Sequence, residues 1–159
     1  MKQIGVAILG FGTVGAGVAD GLLKHREVMS KRLGVDIVLR KIADLDITTD
    51  RGISVPKEVL TTDAAAAIAD ADVQIVVETI GGTGIAKKFV LDALNAKKCV
   101  VTANKKLLAE YGKEIFDTAK ANGVDIYFGA SVGGGIPIIR VLREGLAGND
   151  IESIHGILN

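Results

Sequence analysis

Apolar and polar positions along the chain fall into two periods that take turns. Short apolar runs with the composition of buried strands are each followed by a segment whose apolar residues recur at helical spacing. The first run, Val6 to Leu9, stops at Gly10, and a helical spacing of Val14, Val18 and Leu22 begins directly after it. That helix is predicted from Thr13 to about Leu33, with Gly34 as its C-terminal cap. Val35 to Ala43 reads as the second strand, and Leu45 to Thr61, broken by Gly52 and Pro56, as an irregular surface connection. Thr62 or Asp63 then caps a short alanine-rich helix, 64–69. Val73 to Glu78 and Lys98 to Thr102 read as strands, with an amphipathic helix from Ile85 to Ala96 between them. A helix opening at 103–106 runs to about Ala121, and Val124 to Phe128 is the next strand. Pro137 opens a helix to about Leu146, and Ile151 to Leu158 begins a further strand. Strands and helices in alternation predict an α/β fold: a doubly wound, mainly parallel sheet with helices on both faces, joined by right-handed crossovers.

Composition narrows this picture. With 159 residues, the chain suits one domain, 1–159, able to bury a proper core. Lysine and arginine total 19 and aspartate and glutamate 19, with no long basic run, so neither nucleic acid nor an anionic membrane is an expected partner. No apolar stretch has the length to span a bilayer. The first strand begins almost at Met1, which leaves no room for a signal peptide. Cys99 is the one cysteine, so no internal disulfide forms, and a reducing cytoplasm is the expected compartment. Tryptophan is absent, which argues against a stacking platform for carbohydrate or single-stranded nucleic acid.

Candidate chemistry gathers where strands end. Gly10-Phe11-Gly12-Thr13-Val14-Gly15 is a G-x-G-x-x-G turn between the first strand and first helix, the pattern of a Rossmann-like dinucleotide site. Gly10 permits the tight turn, Gly12 lets a pyrophosphate lie against the backbone, and Gly15 lets the helix pack close. The free N–H groups of the helix start then face the phosphates. Asp44 ends the second strand, where an acid accepts hydrogen bonds from the adenosine ribose; it favours NAD over NADP because it repels a 2′-phosphate. It lies 29 residues after Gly15 (44 − 15), beyond the usual spacing of about 20, and the long first helix accounts for the excess. Arg40, Lys41 and Arg51 lie near enough in sequence to reverse that preference. Thr79 to Gly84 is a second glycine-rich turn at a strand end, placing Thr79 and Gly81 on the ligand edge; Thr102 and Asn104, at the next strand end, join them. Lys105 sits beside Asn104 at a helix start, where the dipole disfavours a cation, so it has either a partner or a task. The run from Gly129 to Pro137 exposes main-chain groups suited to an anion or a cation. His25 has no second ligand one turn away, and Cys99 reads as a small core residue.

Four segments together resemble the homoserine dehydrogenase family: G-F-G-T-V-G at 10–15, V-V-T-A-N-K-K-L-L-A at 100–109, A-S-V-G-G-G-I-P-I-I at 130–139 and G-I-L-N at 156–159. The resemblance covers the whole chain but only the family's amino-terminal nucleotide-binding part. It implies interconversion of L-homoserine and L-aspartate 4-semialdehyde with NAD(P)(H), in the branch leading to threonine and methionine. It also implies that Gly10, Gly12, Thr13, Val14 and Gly15 hold pyrophosphate. Lys105 matches the lysine near nicotinamide and substrate. The main-chain carbonyls of Gly129, Val132, Gly134 and Ile136 match a sodium site. Position 129 is usually Glu in the family, so any bond from that side chain is lost here. Leu45 replaces an arginine suited to a 2′-phosphate, which reinforces NAD. The family's substrate and dimerisation region follows G-I-L-N, so the chain is expected to end as that region begins, to bind cofactor, and not to turn over homoserine alone. The complete protein is expected to be a homodimer or higher. Aspartate-semialdehyde dehydrogenase needs a catalytic cysteine, and Cys99 is in the wrong place. Another oxidoreductase of this fold, or a dinucleotide-sensing module, are the competing readings.

Overall fold

Alternation along β1 (Gln3–Leu9) divides the molecule into layers. Val6 and Ile8 point to one face and Ala7 and Leu9 to the other, as period-two geometry requires, and all four are buried. In the computed structural model, which describes residues 1–157, β1 lies at the centre of one parallel sheet. The other strands are β2 (Asp36–Ala43), β3 (Leu60–Thr61), β4 (Ile75–Glu78), β5 (Cys99–Thr102) and β6 (Ile126–Tyr127). Their order is β3-β2-β1-β4-β5-β6, and every pairing is parallel.

Val6 and Ile8, with Leu39 and Ile42 of β2, pack against Ala16 and Ala19 of α1 (Thr13–Lys24). Ala7 and Leu9 pack on the opposite side, with α3 (Ala64–Ala69), α4 (Gly84–Asn95) and α5 (Lys105–Asn122), through Ile68, Val90, Leu94, Leu107 and Ile115. Parallel strands buried on both faces read as continuous apolar runs, which is why β1, β4 and β5 were visible in the sequence. No α-helix joins β2 to β3 among the described residues. Ile53, Val55 and Val59 of the connection instead pack onto the α1 face, supplying apolar cover where a helix would lie. Among the described residues, no helix is long and apolar enough to cross a membrane.

Several local expectations give way to tertiary structure. The first helix breaks at His25 (φ −108°, ψ 12°), and α2 (Arg26–Leu33) follows as a separate piece ending at the left-handed Gly34. Arg26 makes a bidentate pair with Asp36 at the start of β2 (2.8 and 2.6 Å), which turns α2 back towards the sheet. The pair raises the Arg26 pKa and lowers that of Asp36, through hydrogen bonding first. Second, Val14 is exposed, and the buried face of α1 is the small set Gly15, Ala16 and Ala19. Third, the connection read as irregular contains a 3-10 turn (Lys57–Val59) and the edge strand β3. Fourth, 151–157 form no strand, and Leu158 lies outside the described residues. An apolar run becomes a strand only where a neighbour pairs its backbone groups. The helix from Pro137 is one short piece, α6 (Ile138–Arg140), that passes into a π-helical turn, Val141–Gly145. Cys99 is half-buried within β5. Lys98, beside it, is buried and donates to the carbonyls of Asp70 (2.6 Å) and Val73 (2.5 Å), which fixes the entry to β4. Burial pushes its pKa down, against the pull of Asp70.

Candidate functional site

The carboxyl ends of β1, β2, β4 and β5 meet at one edge of the sheet. The strand order reverses between β1 and β4, so the loops after them diverge and leave a crevice. A cleft of about 710 Å³ opens there, bordered by Gly10, Gly12, Asp44, Leu45, Thr79 and Phe89. A smaller pocket of about 180 Å³ shares Thr79 with it and is bordered by Val14, Gly81, Ala103 and Asn104.

The three glycines of the first turn have different reasons to be glycine. Gly10 has a φ of +101°, and a Cβ there would lie 2.8 Å from the Thr79 carbonyl carbon. A Cβ on Gly15 would sit 1.9 Å from the Gly10 carbonyl oxygen. The fold itself demands both. Gly12 has an ordinary φ of −73°, and a Cβ there would meet nothing within 4 Å. The protein does not need glycine at 12; the missing side chain leaves open space at the start of α1. That helix starts with no side-chain cap and no acid in its first turn. Its first N–H groups, on Thr13, Val14 and Gly15, therefore face the opening, an arrangement that suits a phosphate.

Asp44 ties the second loop to the first. Its Oδ2 accepts from the Phe11 N–H at 2.5 Å, and its Oδ1 accepts from the Asp46 N–H at 2.9 Å. The carboxylate is thereby fixed at the cleft edge beside the turn. The basic residues that might have offset it are held elsewhere. Arg40 donates to Gln3 Oε1 at 2.9 Å, Lys41 to the Glu58 carbonyl at 3.3 Å, and Arg51 pairs with Asp46 Oδ2 at 3.1 Å. None of the three borders the cleft.

Glu78, which sequence reasoning passed over, organises the other half. It ends β4 and is fully buried. Its Oε1 accepts from the N–H groups of Ile80 (2.9 Å) and Gly81 (3.1 Å), which folds the second glycine turn around it. Its Oε2 accepts from the Thr102 hydroxyl at 2.5 Å. Thr102 Oγ1 in turn accepts from the Asn104 N–H (3.0 Å), and Asn104 Nδ2 donates to the Gly82 carbonyl (2.6 Å). Asn104 Oδ1 caps α5 by accepting from the Leu107 N–H. Thr102 is thus spent on this network and borders neither pocket, while Asn104 does both jobs. The signal for Glu78 was present: an acid closing an apolar strand directly before a glycine turn. Thr79 donates its hydroxyl to the carbonyls of Leu9 (3.1 Å) and Gly10 (2.9 Å), joining the two glycine turns.

Lys105 follows Asn104 as the first residue of α5 and is exposed, with no ion pair among the described residues. The loop carrying Gly129, Val132, Gly134 and Ile136 lies next to this edge, because the Ser131 hydroxyl donates to the Thr102 carbonyl at 2.9 Å. Gly133 and Gly134 adopt left-handed φ values of 74° and 61°. The Gly129 carbonyl accepts from the Val132 N–H, and that of Ile136 from the Ile138 N–H.

A parallel sheet of this order, with an open glycine turn at its switch point and an acid closing β2, defines a dinucleotide-binding domain of the Rossmann type. The profile of the family described as "Homoserine dehydrogenase, NAD binding domain" matches residues 10–129. The chain belongs to the homoserine dehydrogenase family, as its NAD-binding domain. The homoserine dehydrogenase of Bacillus subtilis is 47% identical over 159 residues, all of this chain and 37% of that protein. That of Neisseria gonorrhoeae is 50% identical over 159 residues, again all of this chain and 36% of the relative. The crystal structure of a homoserine dehydrogenase from Thiobacillus denitrificans matches with a TM-score of 0.87 at 43% identity, over 94% of this chain and 34% of that one. A hyperthermophilic archaeal homoserine dehydrogenase in complex with NADPH matches with a TM-score of 0.69 at 28% identity, over 92% of this chain and 50% of that one. The chain therefore spans about a third of the length of these curated relatives.

Proposed function

We propose that the chain is the part of an NAD(P)-dependent oxidoreductase that holds the dinucleotide while L-homoserine and L-aspartate 4-semialdehyde are interconverted, a step towards threonine and methionine. The observation that carries this reading is the open space at Gly12 in front of the uncapped start of α1. Pyrophosphate lies against Gly12 and the N–H groups of Thr13, Val14 and Gly15. The adenosine end lies in the larger cleft by Asp44, and the nicotinamide end near Thr79, Gly81 and Asn104. The chemistry that a bound nicotinamide supplies is hydride transfer to or from substrate C4. Lys105 follows Asn104 at the start of α5, and its ammonium stabilises the alkoxide developing at the C4 oxygen or passes it a proton. The carbonyls of Gly129, Val132, Gly134 and Ile136 are candidates for a sodium ion, in keeping with a loop rich in exposed main chain. Substrate contacts and the dimer interface belong to sequence beyond this third of the protein, so the isolated chain binds cofactor without turning over homoserine. The complete enzyme is a cytoplasmic homodimer or higher oligomer.

Two tests bear on the assignment. In the complete enzyme, Lys105→Met is expected to lower kcat by roughly 10²–10⁴ with the NADH dissociation constant unchanged. An equal loss in NADH binding would make Lys105 a cofactor contact only. Because Asp44 lies beside the turn and the nearby cations are held elsewhere, NAD is the preferred dinucleotide. Asp44→Ala is expected to weaken NADH binding by about 1.5–3 kcal/mol, the value of a hydrogen bond to a charged group, and NADPH binding much less. Titrating cofactor fluorescence measures both, and equal losses would remove Asp44 from ribose recognition.

A further inference from the structure

The loop after β2 contains a charge arrangement that cofactor binding, as described so far, does not use. Asp46 is two residues beyond the cleft-bordering Asp44, and the two are joined by the bond from the Asp46 N–H to Asp44 Oδ1. Asp46 Oδ1 accepts from the N–H and hydroxyl of Thr48 (3.1 and 3.0 Å) and from the N–H of Thr49 (3.0 Å). Its other oxygen accepts from Arg51 Nη2 at 3.1 Å. The Arg51 side chain is 25% exposed, and its Nε is buried without a hydrogen-bond partner. The guanidinium thus stands two hydrogen bonds from the Asp44 carboxylate, incompletely satisfied and outside the cleft lining. Between them, Leu45 is 94% exposed and brings no charge to the cleft. Thr49 and Thr48 hold the Asp46 pKa far below the ordinary carboxylate range, so the charge opposing Arg51 persists at every working pH.

We propose that Asp46 sets dinucleotide selectivity by withholding Arg51 from the adenosine end of the cleft. Held by Asp46, the guanidinium is neutralised and stays outside the lining of the cleft where a 2′-phosphate would sit beside Asp44. Released, it offers the planar, always-charged donor fork that matches a phosphate. Arg40 and Lys41 are anchored to Gln3 and Glu58 and are not part of the device. Asp46 is a positioning residue here: it touches no cofactor and acts through Arg51. The inference rests on the dinucleotide reading of the cleft.

Asp46→Asn is the informative variant. Asparagine still accepts from Thr48 and Thr49, so the turn is kept, but its amide NH₂ no longer attracts the guanidinium. Titrating NADH and NADPH against the chain by fluorescence, the ratio of NADPH to NADH affinity is expected to rise about tenfold in Asp46→Asn. The gain comes mostly from tighter NADPH binding, and the ratio falls back to the wild-type value in Asp46→Asn/Arg51→Gln. An unchanged ratio overturns the proposal, as does a raised ratio that survives loss of Arg51. Should Asp46→Asn lower the melting temperature, Asp46→Ser, which retains a hydroxyl acceptor for the threonine N–H groups, is read by the same two outcomes. Wild-type chain that binds neither dinucleotide overturns the reading of the cleft itself, a result distinct from normal NADH binding with no shift in Asp46→Asn.

Discussion

Gly12→Val is expected to weaken dinucleotide binding by roughly 10- to 100-fold, the loss of about one charge-assisted bond to pyrophosphate, while the melting temperature stays at the wild-type value. The two readouts separate because a Cβ at position 12 meets no protein atom within 4 Å and the backbone there is ordinary. The added side chain occupies only the space in front of the α1 N-terminus. Gly15→Ala behaves in the opposite way. Its Cβ would lie 1.9 Å from the Gly10 carbonyl oxygen, so backbone must shift, at the upper end of or beyond the roughly 1–3 kcal/mol usual for overpacking. Thermal unfolding and NADH titration on both variants check this. A Gly12→Val protein that binds NADH normally would place the pyrophosphate elsewhere.

The second large effect falls on a residue that meets no ligand. Glu78→Ala leaves the N–H groups of Ile80 and Gly81 and the Thr102 hydroxyl without their acceptor. Buried donors left unsatisfied cost about 1–3 kcal/mol each, so a loss of roughly 3 kcal/mol or more in unfolding free energy is expected. The turn at 79–84 also loses its tie through Glu78 to Thr102, so NADH binding weakens in the protein that remains folded. Glu78→Gln keeps one oxygen for the two N–H groups and is expected to lose less. Denaturant unfolding of the two variants measures the difference. If Glu78→Ala unfolds at the wild-type midpoint, the carboxylate does not organise this half of the cleft.

What could be read from the sequence follows from the range of the forces involved. The β1–turn–α1 unit depends on neighbours in sequence: an apolar run, three glycines and a helical spacing. Asp63 as the cap of α3 is equally local, its carboxylate accepting from the Ala66 N–H three residues on. The break at His25 was hidden because its cause, the pair between Arg26 and Asp36, joins different elements across ten residues. β3 pairs two residues only, too few to show a period. Ile151 to Ile157 carried strand-like composition but found no strand to pair with. In the site, the places of the glycine turn and Asp44 at the cleft were legible, whereas the Glu78–Thr102–Asn104 chain was not. Its long links, Thr102 to Glu78 and Asn104 to Gly82, cross between the ends of β4 and β5, and no spacing rule in one dimension encodes a meeting in three. Thr102 shows the same limit: its position at a strand end was read correctly, but its hydroxyl faces inwards.

What the first glycine turn offers a ligand is mostly peptide groups: the bare backbone at Gly12 and the N–H groups of Thr13, Val14 and Gly15. Peptide groups are the same in every protein, so the identity of most side chains around this contact is free to drift. What must persist is the path of the chain, set by a few glycines and by buried acceptors such as Glu78. A relative only 28% identical still follows the same trace with a TM-score of 0.69. In such a site ancestry is kept in the course of the main chain long after it has faded from the letters of the sequence.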